Sequence, residues 1–412
     1  MTPSRTMISL TARIALLVLI SGVSNMHAQN GTESNTSLSV VVSSNNQFAL
    51  DFYRGINGSS GGKNIFVSPY SISTALAMTF EGSRNNTRKQ MGEVLHFNMP
   101  DAERQAGFSE LLAQTRPGPG KKYKLEVANA LWGQKDYPFE TAFTGAIGKF
   151  YGGGFNTVDY PGDKEGSIRK INTWVEDKTA GKIKNLIHSD DITPLTRLVL
   201  TNAIYFKGDW ASPFEKGATK DEAFHVTETE RVQAPMMHKT AHLRFVKENG
   251  LAAIELPYAG DDLSMIVLLP DSNVEQLGAS VTLETIQKLR SQMRPAEVDV
   301  TLPRFKFETR YILNQELGKM GMPDAFDEFL ADFSGMTGKK MLHISEVIHQ
   351  AMIDVNEEGS EAAASTAVVM SKKALRMPMK ETFRADHPFI FTIVHNGTGS
   401  ILFMGRVTNP VS

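Results

Sequence analysis

The residues with which this chain could do chemistry are few, and their spacing excludes more than it offers. An enzyme needs a nucleophile, a base or a metal cluster. The chain has no cysteine, which removes thiolate nucleophiles and thiolate metal sites. The single Gly-x-Ser-x-Gly match, Gly58-Ser59-Ser60-Gly61-Gly62, follows a helically spaced run rather than a strand, and no His-Glu-x-x-His occurs, so neither a hydrolase elbow nor a zincin helix is written locally. The ten histidines never pair at helical ligand spacing beside an acid. NGSSGGK (57–63) superficially resembles a phosphate loop, but its first glycine is missing and Asn64 stands where Ser or Thr would bind magnesium. It reads as an ordinary loop. The basic runs Lys121-Lys122-Tyr123-Lys124, Lys339-Lys340 and Lys372-Lys373 are short. The first reads as a solvated loop or strand edge and gives a glycosaminoglycan site only weak support.

One segment is written in two ways at once. In EEGSEAAASTAVVM (357–370), eight of fourteen residues are Gly, Ala, Ser or Thr, as in an exposed, pliable stretch. Yet Ala362, Ala364, Thr366, Val368 and Met370 alternate with period two, which suits the buried face of a strand.

The elements that must position such a segment are those of a large soluble protein. The chain has 412 residues, of which 41% are hydrophobic and 21% charged, ordinary values for a globular domain. Arg5 and Arg13 flank the start of an apolar run, Ile14–Ile20, and small residues follow to Ala28. Residues 1–28 therefore read as a secretory signal peptide cut after Ala28. The run is too short for a membrane anchor, and no later segment reaches ~18 apolar residues. The expectation is a soluble, secreted, extracellular protein with no membrane association. Without the leader the formal charge moves from −2 to −4, which gives no drive toward nucleic acid. A domain of this size can build a core without disulfides. Sequons stand at Asn30, Asn35, Asn57, Asn85 and Asn396, and secretion makes each a candidate for N-glycosylation.

Residues 29–46, rich in Asn, Ser and Thr, read as a loose tail. Phe48, Ala49, Phe52 and Tyr53 have helical spacing, as do Ile168, Ile171, Trp174 and Val175, whose helix should end near Gly181. RLVLTNAIYF (197–206) and LSMIVLLP (263–270) read as buried strands, and VDVTLPRF (298–305) alternates like a half-exposed one. Helices dominate the first half and strands the second, which predicts an α+β fold.

Seven separated segments together resemble the serpins: NIFVSPYSISTALAM (64–78), TNAIYFKGDW (201–210), LPRFKFETRYILNQELGKMGM (302–322), DAFDEFLADFSGM (324–336), VIHQAMIDVNEEGSEAAASTA (347–367), FRADHPFIFTI (383–393) and GSILFMGRVTNP (399–410). They come in family order across nearly all of 29–412. The resemblance implies a single domain of three β-sheets and about nine helices, with an exposed reactive loop over about 357–383. It implies a monomer with no catalytic machinery and no cofactor, so not an enzyme. A protease of the serine class cuts the loop, and the cleaved loop inserts into the central sheet with the protease attached as an acyl-enzyme. The double writing of 357–370 then has a reason, since one stretch must be a loop before cleavage and a strand after it. Small side chains pass between parted strands; large or charged ones stall.

Residue roles follow from the same resemblance. Glu357, Glu358, Gly359, Ser360, Ala362, Ala363 and Ala364 form the hinge. On insertion Ser360 and the alternating set would face the core, with Glu361 and Ser365 outward. Ser68, Ser71, Asn202 and His349 match the "shutter" under the central sheet, and Trp210 the "breach" where insertion begins. Family loops place the specificity residue sixteen positions after the first hinge glutamate. That count gives Lys373–Ala374 as the first choice of scissile bond, with Arg376–Met377 or Lys372 as alternatives. Each puts a cation before the cut, which fits the acidic pocket of a trypsin-like serine protease. A non-inhibitory relative serving as carrier, storage protein or chaperone is the alternative, although such relatives often carry bulky or charged hinges.

Overall fold

The structure is a computed structural model that describes residues 36–118, 120–359 and 380–412. The leader, Asn30, Asn35, the hinge residues Ser360, Ala362, Ala363 and Ala364, and Lys372, Lys373, Ala374, Arg376 and Met377 lie outside the described residues.

The described residues open with helix α1 over 36–59. This overturns the expected loose tail for residues 36–46. Leu38, Val41, Val42, Phe48, Ala49, Phe52, Tyr53 and Ile56 form one buried helical stripe, so the apolar period starts earlier than its polar neighbours imply. Those polar neighbours are tie points. Asn45 Oδ1 accepts from the Ser73 hydroxyl (2.6 Å), Asn46 Nδ2 donates to the Gly399 carbonyl (2.9 Å), and Ser44 Oγ donates to that of His96 (2.8 Å).

Strand β1 (Ile65–Val67) leads into α2 (Pro69–Gly82), whose N-terminus is set by Pro69 at the first turn and by Ser68, which accepts from the Ser71 N–H. Nearly every residue of α2 is buried. Then follow α3 (Asn85–Val94), α4 (Asp101–Thr115), β2 (Tyr123–Gln134), α5 (Thr141–Tyr151), β3 (Gly154–Val158) and α6 (Lys164–Lys178). α6 stops as expected, with Ala180 and Gly181 both at positive φ. The second half carries β4 (Leu198–Gly208), β5 (Lys220–His225), β6 (Arg231–Glu248), β7 (Leu251–Pro257) and β8 (Leu263–Pro270). After these come α7 (Val274–Ser280), α8 (Leu283–Gln292), β9 (Arg294–Pro303), β10 (Phe305–Ile312), α9 (Asn314–Met320), α10 (Ser334–Thr337), β11 (Glu346–Val355), β12 (Lys380–Arg384), β13 (Phe389–His395) and β14 (Ile401–Val407).

Five strands form the central sheet in the order β10-β11-β4-β2-β3. The other nine form one continuous sheet, β1-β14-β13-β8-β7-β6-β9-β12, with β5 on β6. The three expected sheets are thus the central one and two others joined by β6, which pairs with β9 over Met236–Phe245 and with β7 over Arg244–Glu248.

RLVLTNAIYF is apolar throughout because β4 is covered on both faces. Val199 and Ala203 meet Ile171 and Val175 of α6, while Leu198, Leu200 and Ile204 join the main core. β8 is buried along its whole length. VDVTLPRF departs from the reading of one alternating strand. Alternation holds at Val298-Asp299-Val300, but Thr301, Leu302 and Pro303 are all buried, and the strand ends there. Exposed Arg304 turns the corner, and Phe305 begins β10 in the other sheet. Among the described residues no helix is long and apolar enough to cross a membrane.

Candidate functional site

The central sheet has a seam between β4 and β11. These strands are parallel neighbours, paired from Glu346↔Val199 to Met352↔Tyr205. Their parallel sense matters. A chain that leaves the end of β11 and doubles back runs antiparallel to β11, and therefore to β4 as well. One inserted strand could satisfy both edges with antiparallel ladders.

Beneath the seam sits a closed polar cluster. Asn202 and His349 are register partners across it, and His349 Nδ1 bonds to Asn202 Oδ1. His349 Nε2 faces the backbone N–H of Ser68 (3.2 Å). Since Nε2 accepts, the proton rides on Nδ1 and the ring is neutral. Burial pushes the imidazole pKa down to about 3. The Tyr311 ring lies nearly parallel to it at 6.5 Å. Ser68 Oγ donates to the Leu402 carbonyl of β14 (2.7 Å), and Asn202 Nδ2 donates to Ser71 Oγ (2.6 Å). The structure thus gathers Ser68, Ser71, Asn202 and His349, all fully buried. It adds one residue the sequence reading missed. Asn129 of β2 accepts from Ser71 Oγ (3.0 Å) and Asn202 Nδ2 (2.5 Å), and donates to the Ser71 carbonyl (3.2 Å). The available signal was an asparagine inside an otherwise apolar strand, VANALW (127–132).

At the top of the seam the chain reverses over Asn356–Gly359. Trp210 holds the turn twice, its indole donating to the Asn356 carbonyl (3.0 Å) and its backbone N–H to that of Glu358 (2.9 Å). The indole stacks on Tyr258 at 4.6 Å. The Glu357 carboxylate is only 3% exposed. It takes a hydrogen bond from Thr219 (2.7 Å) and an ion pair from Arg304 (2.5 Å). Burial works to raise its pKa, but these partners hold it below the usual glutamate value. Glu358 pairs with Lys216. Gly359 has φ of +101° and bridges back to Asn356; a Cβ there would lie 2.4 Å from the Gly208 carbonyl oxygen and the Trp210 nitrogen. Only glycine fits. The hinge residues Glu357, Glu358 and Gly359 and the breach residue Trp210 are therefore one assembly.

Two sequon asparagines are tied into their surroundings. Asn57 is buried, and its side chain accepts from the buried Arg406 guanidinium (2.6 Å) and donates to the Glu275 carbonyl (3.2 Å). Ser60 and the Lys63 carbonyl complete the Arg406 cradle, so NGSSGGK closes on a cation of the chain itself. The Asn396 amide nitrogen donates to Asp261 and Ser264, and its oxygen accepts from Arg290. Both amides are engaged by hydrogen bonds in the folded chain. Asn85 is exposed, with one bond to Asp332. In the basic run, Lys121 pairs with Asp262, and Tyr123 and Lys124 begin β2.

Comparison with known proteins matches this geometry. The family model for serpins (serine protease inhibitors) covers residues 43–410. Human leukocyte elastase inhibitor is 40% identical over 380 residues, 90% of this chain and 99% of that protein. An uncharacterised serpin-like protein of Thermococcus kodakarensis is 41% identical over 375 residues, 90% of this chain and 86% of that one. Uncleaved ovalbumin superposes with a TM-score of 0.81 at 30% identity, covering 90% of this chain and all of that one. Human thyroxine-binding globulin, complexed with its hormone, gives 0.82 at 32%, covering 91% and 100%. The chain belongs to the serpin family.

Proposed function

We propose that the chain is a secreted suicide substrate for trypsin-like serine proteases, which it traps as acyl-enzymes. The seam carries this reading. β4 and β11 run parallel and neighbour each other, and the chain leaving β11 reverses at a turn held by Trp210. The target serine attacks the Lys373 carbonyl, the amine of Ala374 leaves, and an ester joins Lys373 to the protease. Insertion of residues after Gly359 between β4 and β11 then carries the ester away from the reacting geometry before water cleaves it. Small residues from Ser360 to Ala364 support rapid entry. The cations at Lys372, Lys373 and Arg376 support an acidic specificity pocket. The relatives named leukocyte elastase inhibitor favour a second specificity, because an elastase pocket is small and takes apolar side chains.

Mixing the protein with trypsin and resolving the products on a denaturing gel tests the reading. A band of summed mass supports an inhibitor; cleavage alone supports the carrier. Mass spectrometry of the released C-terminal peptide locates the bond. A peptide beginning at Ala374 fits the count and one beginning at Met377 moves the site by three residues. One that follows an apolar residue removes the trypsin-like assignment in favour of an elastase-like one. Secretion predicts a mature N-terminus at Gln29 and, among the described sequons, a glycan on Asn85.

A further inference from the structure

Arg310 reaches across the seam. It lies on β10 opposite Gln350 of β11, and Gln350 in turn pairs with Ala203 of β4. Its guanidinium is held by the segment that leads from α6 into β4. Nε donates to the Leu186 carbonyl (2.8 Å), and a second nitrogen forms an ion pair with the buried Asp191. That segment belongs to the far side of the seam. Asn172 of α6 fixes it through the N–H (2.8 Å) and carbonyl (2.9 Å) of Ile187, and Leu186, Ile187 and Ile192 pack with Val175 of α6 and Val199 of β4. β10 and β11 therefore stand on one side, with β4, α6 and the covering segment on the other. Parting β4 from β11 has to break the Arg310 bonds or lift the segment.

Glu346 lies beneath this contact. It shares a face of β11 with Ile348, which packs in the cluster under α6. Its Oε2 is buried and has no hydrogen-bond partner among the described residues. The charged groups that act on it are Asp191 from the segment and Arg310 from β10. The segment's other charged side chains, Lys182, Lys184, His188 and Asp190, are exposed. On β4 it meets Val199, Asn314 beside it is neutral and bonds to the Ser345 carbonyl (2.7 Å), and Glu308 farther along β10 is held by Gln350. Burial and Asp191 push the Glu346 carboxyl up from 4.5 to about 7. Ionised, it is a second carboxylate contending with Asp191 for one guanidinium. Lifting the segment admits water and returns the ordinary value. The covered form is thus the one that takes up the proton, so covering strengthens as pH falls from 7 toward 4.5 and is weakest above 7.

We propose that Arg310 is a strap that holds the seam shut through the segment over it, and that Glu346 tightens the strap when protonated. Its effect on trapping rests on the inhibitor reading: a tighter strap delays entry of the cleaved loop and leaves more acyl-enzyme to water.

Hydrogen exchange of the intact protein, followed by mass spectrometry, tests the strap without a protease. Arg310→Gln should speed exchange of residues 183–192 and of β4 about tenfold at pH 7.5, with β8 unchanged. Unchanged exchange overturns the strap. Glu346→Gln copies the protonated form. The ratio of natural to variant exchange at the same amides, in which the intrinsic pH dependence cancels, should rise severalfold from pH 5 to 7 and level off above. A ratio flat in pH overturns the part given to Glu346. Should Arg310→Gln loosen β8 as well, the whole fold is destabilised and the Glu346→Gln ratio decides alone. With trypsin, Arg310→Gln should raise the ratio of complex to cleaved chain severalfold at fixed pH. Faster exchange with an unchanged product ratio overturns the brake on entry. A chain that trypsin only cleaves, with exchange responding as expected, keeps the strap and removes the inhibitor reading.

Discussion

His349 has both ring nitrogens committed in the interior, one accepting from Ser68 and one bonded to Asn202. A second proton would displace a hydrogen bond and bury a charge, so the pKa falls to about 3, while the unfolded side chain titrates near 6.5. Between these values the unfolded state binds the extra proton. Stability from this group is complete above about pH 6.5 and drains as pH falls toward 3, by up to ~1.4 kcal/mol per unit. Glu346 opposes it. Burial, with Asp191 nearby, raises its pKa to about 7, so the native state holds an extra proton and stability from Glu346 grows as pH falls from 7 toward 4.5. The difference between two proteins isolates the histidine. His349→Gln should flatten the loss of urea midpoint between pH 6.5 and 5 relative to the natural sequence; identical pH slopes would contradict the assignment.

The hinge turn is the element on which the seam depends, and its tightest point is Gly359. Alanine there must keep a positive φ and place a methyl against two backbone atoms, which cannot move like a flexible side chain. The expected cost is ~1–3 kcal/mol, read as a melting temperature several degrees lower. An unchanged melting temperature would mean that the turn tolerates the methyl and is not held as described. One residue on, Ser360→Arg acts on insertion rather than on the resting turn. A guanidinium at the first core-facing position carries a large desolvation cost. Entry should slow, hydrolysis should win, and cleaved product should replace the trypsin complex. Full complex yield from that variant would sink the hinge argument.

For the whole molecule, the native state holds a seam between two parallel strands that a third could fill. Filling it would replace one parallel ladder by two antiparallel ones and enlarge the central sheet from five strands to six. On the inhibitor reading the native form would then be kinetically rather than thermodynamically favoured. Nicking the loop with a protease that is not trapped should raise the melting temperature sharply. If the nicked and intact proteins melt together, the seam does not accept the loop and the carrier reading is favoured.

Much of this was legible in order along the chain. The apolar runs of β4 and β8 and the end of α6 follow from periodicity and composition, because these record which faces are buried and where a backbone can turn. The seven segments were enough to place the family and the polar cluster. The partner that meets each buried face was not legible. Residues 36–46 read as a tail because Ser44, Asn45 and Asn46 are polar, yet Asn46 is satisfied 353 residues away at Gly399. Asn57 reads only as part of a sequon, and its bond to Arg406, 349 residues on, is not written locally. Asn129 joined the cluster only when β2 was laid beside β4, and VDVTLPRF divided at Arg304 because β6 claims one side of the break and β11 the other. The seam itself, a parallel pairing of segments about 147 residues apart, exists only in the folded chain. Local sequence determines propensity and burial through neighbours a few residues away. Hydrogen-bond and ion partners are determined by which distant segments the core brings within about 3 Å, and that selection belongs to the tertiary structure.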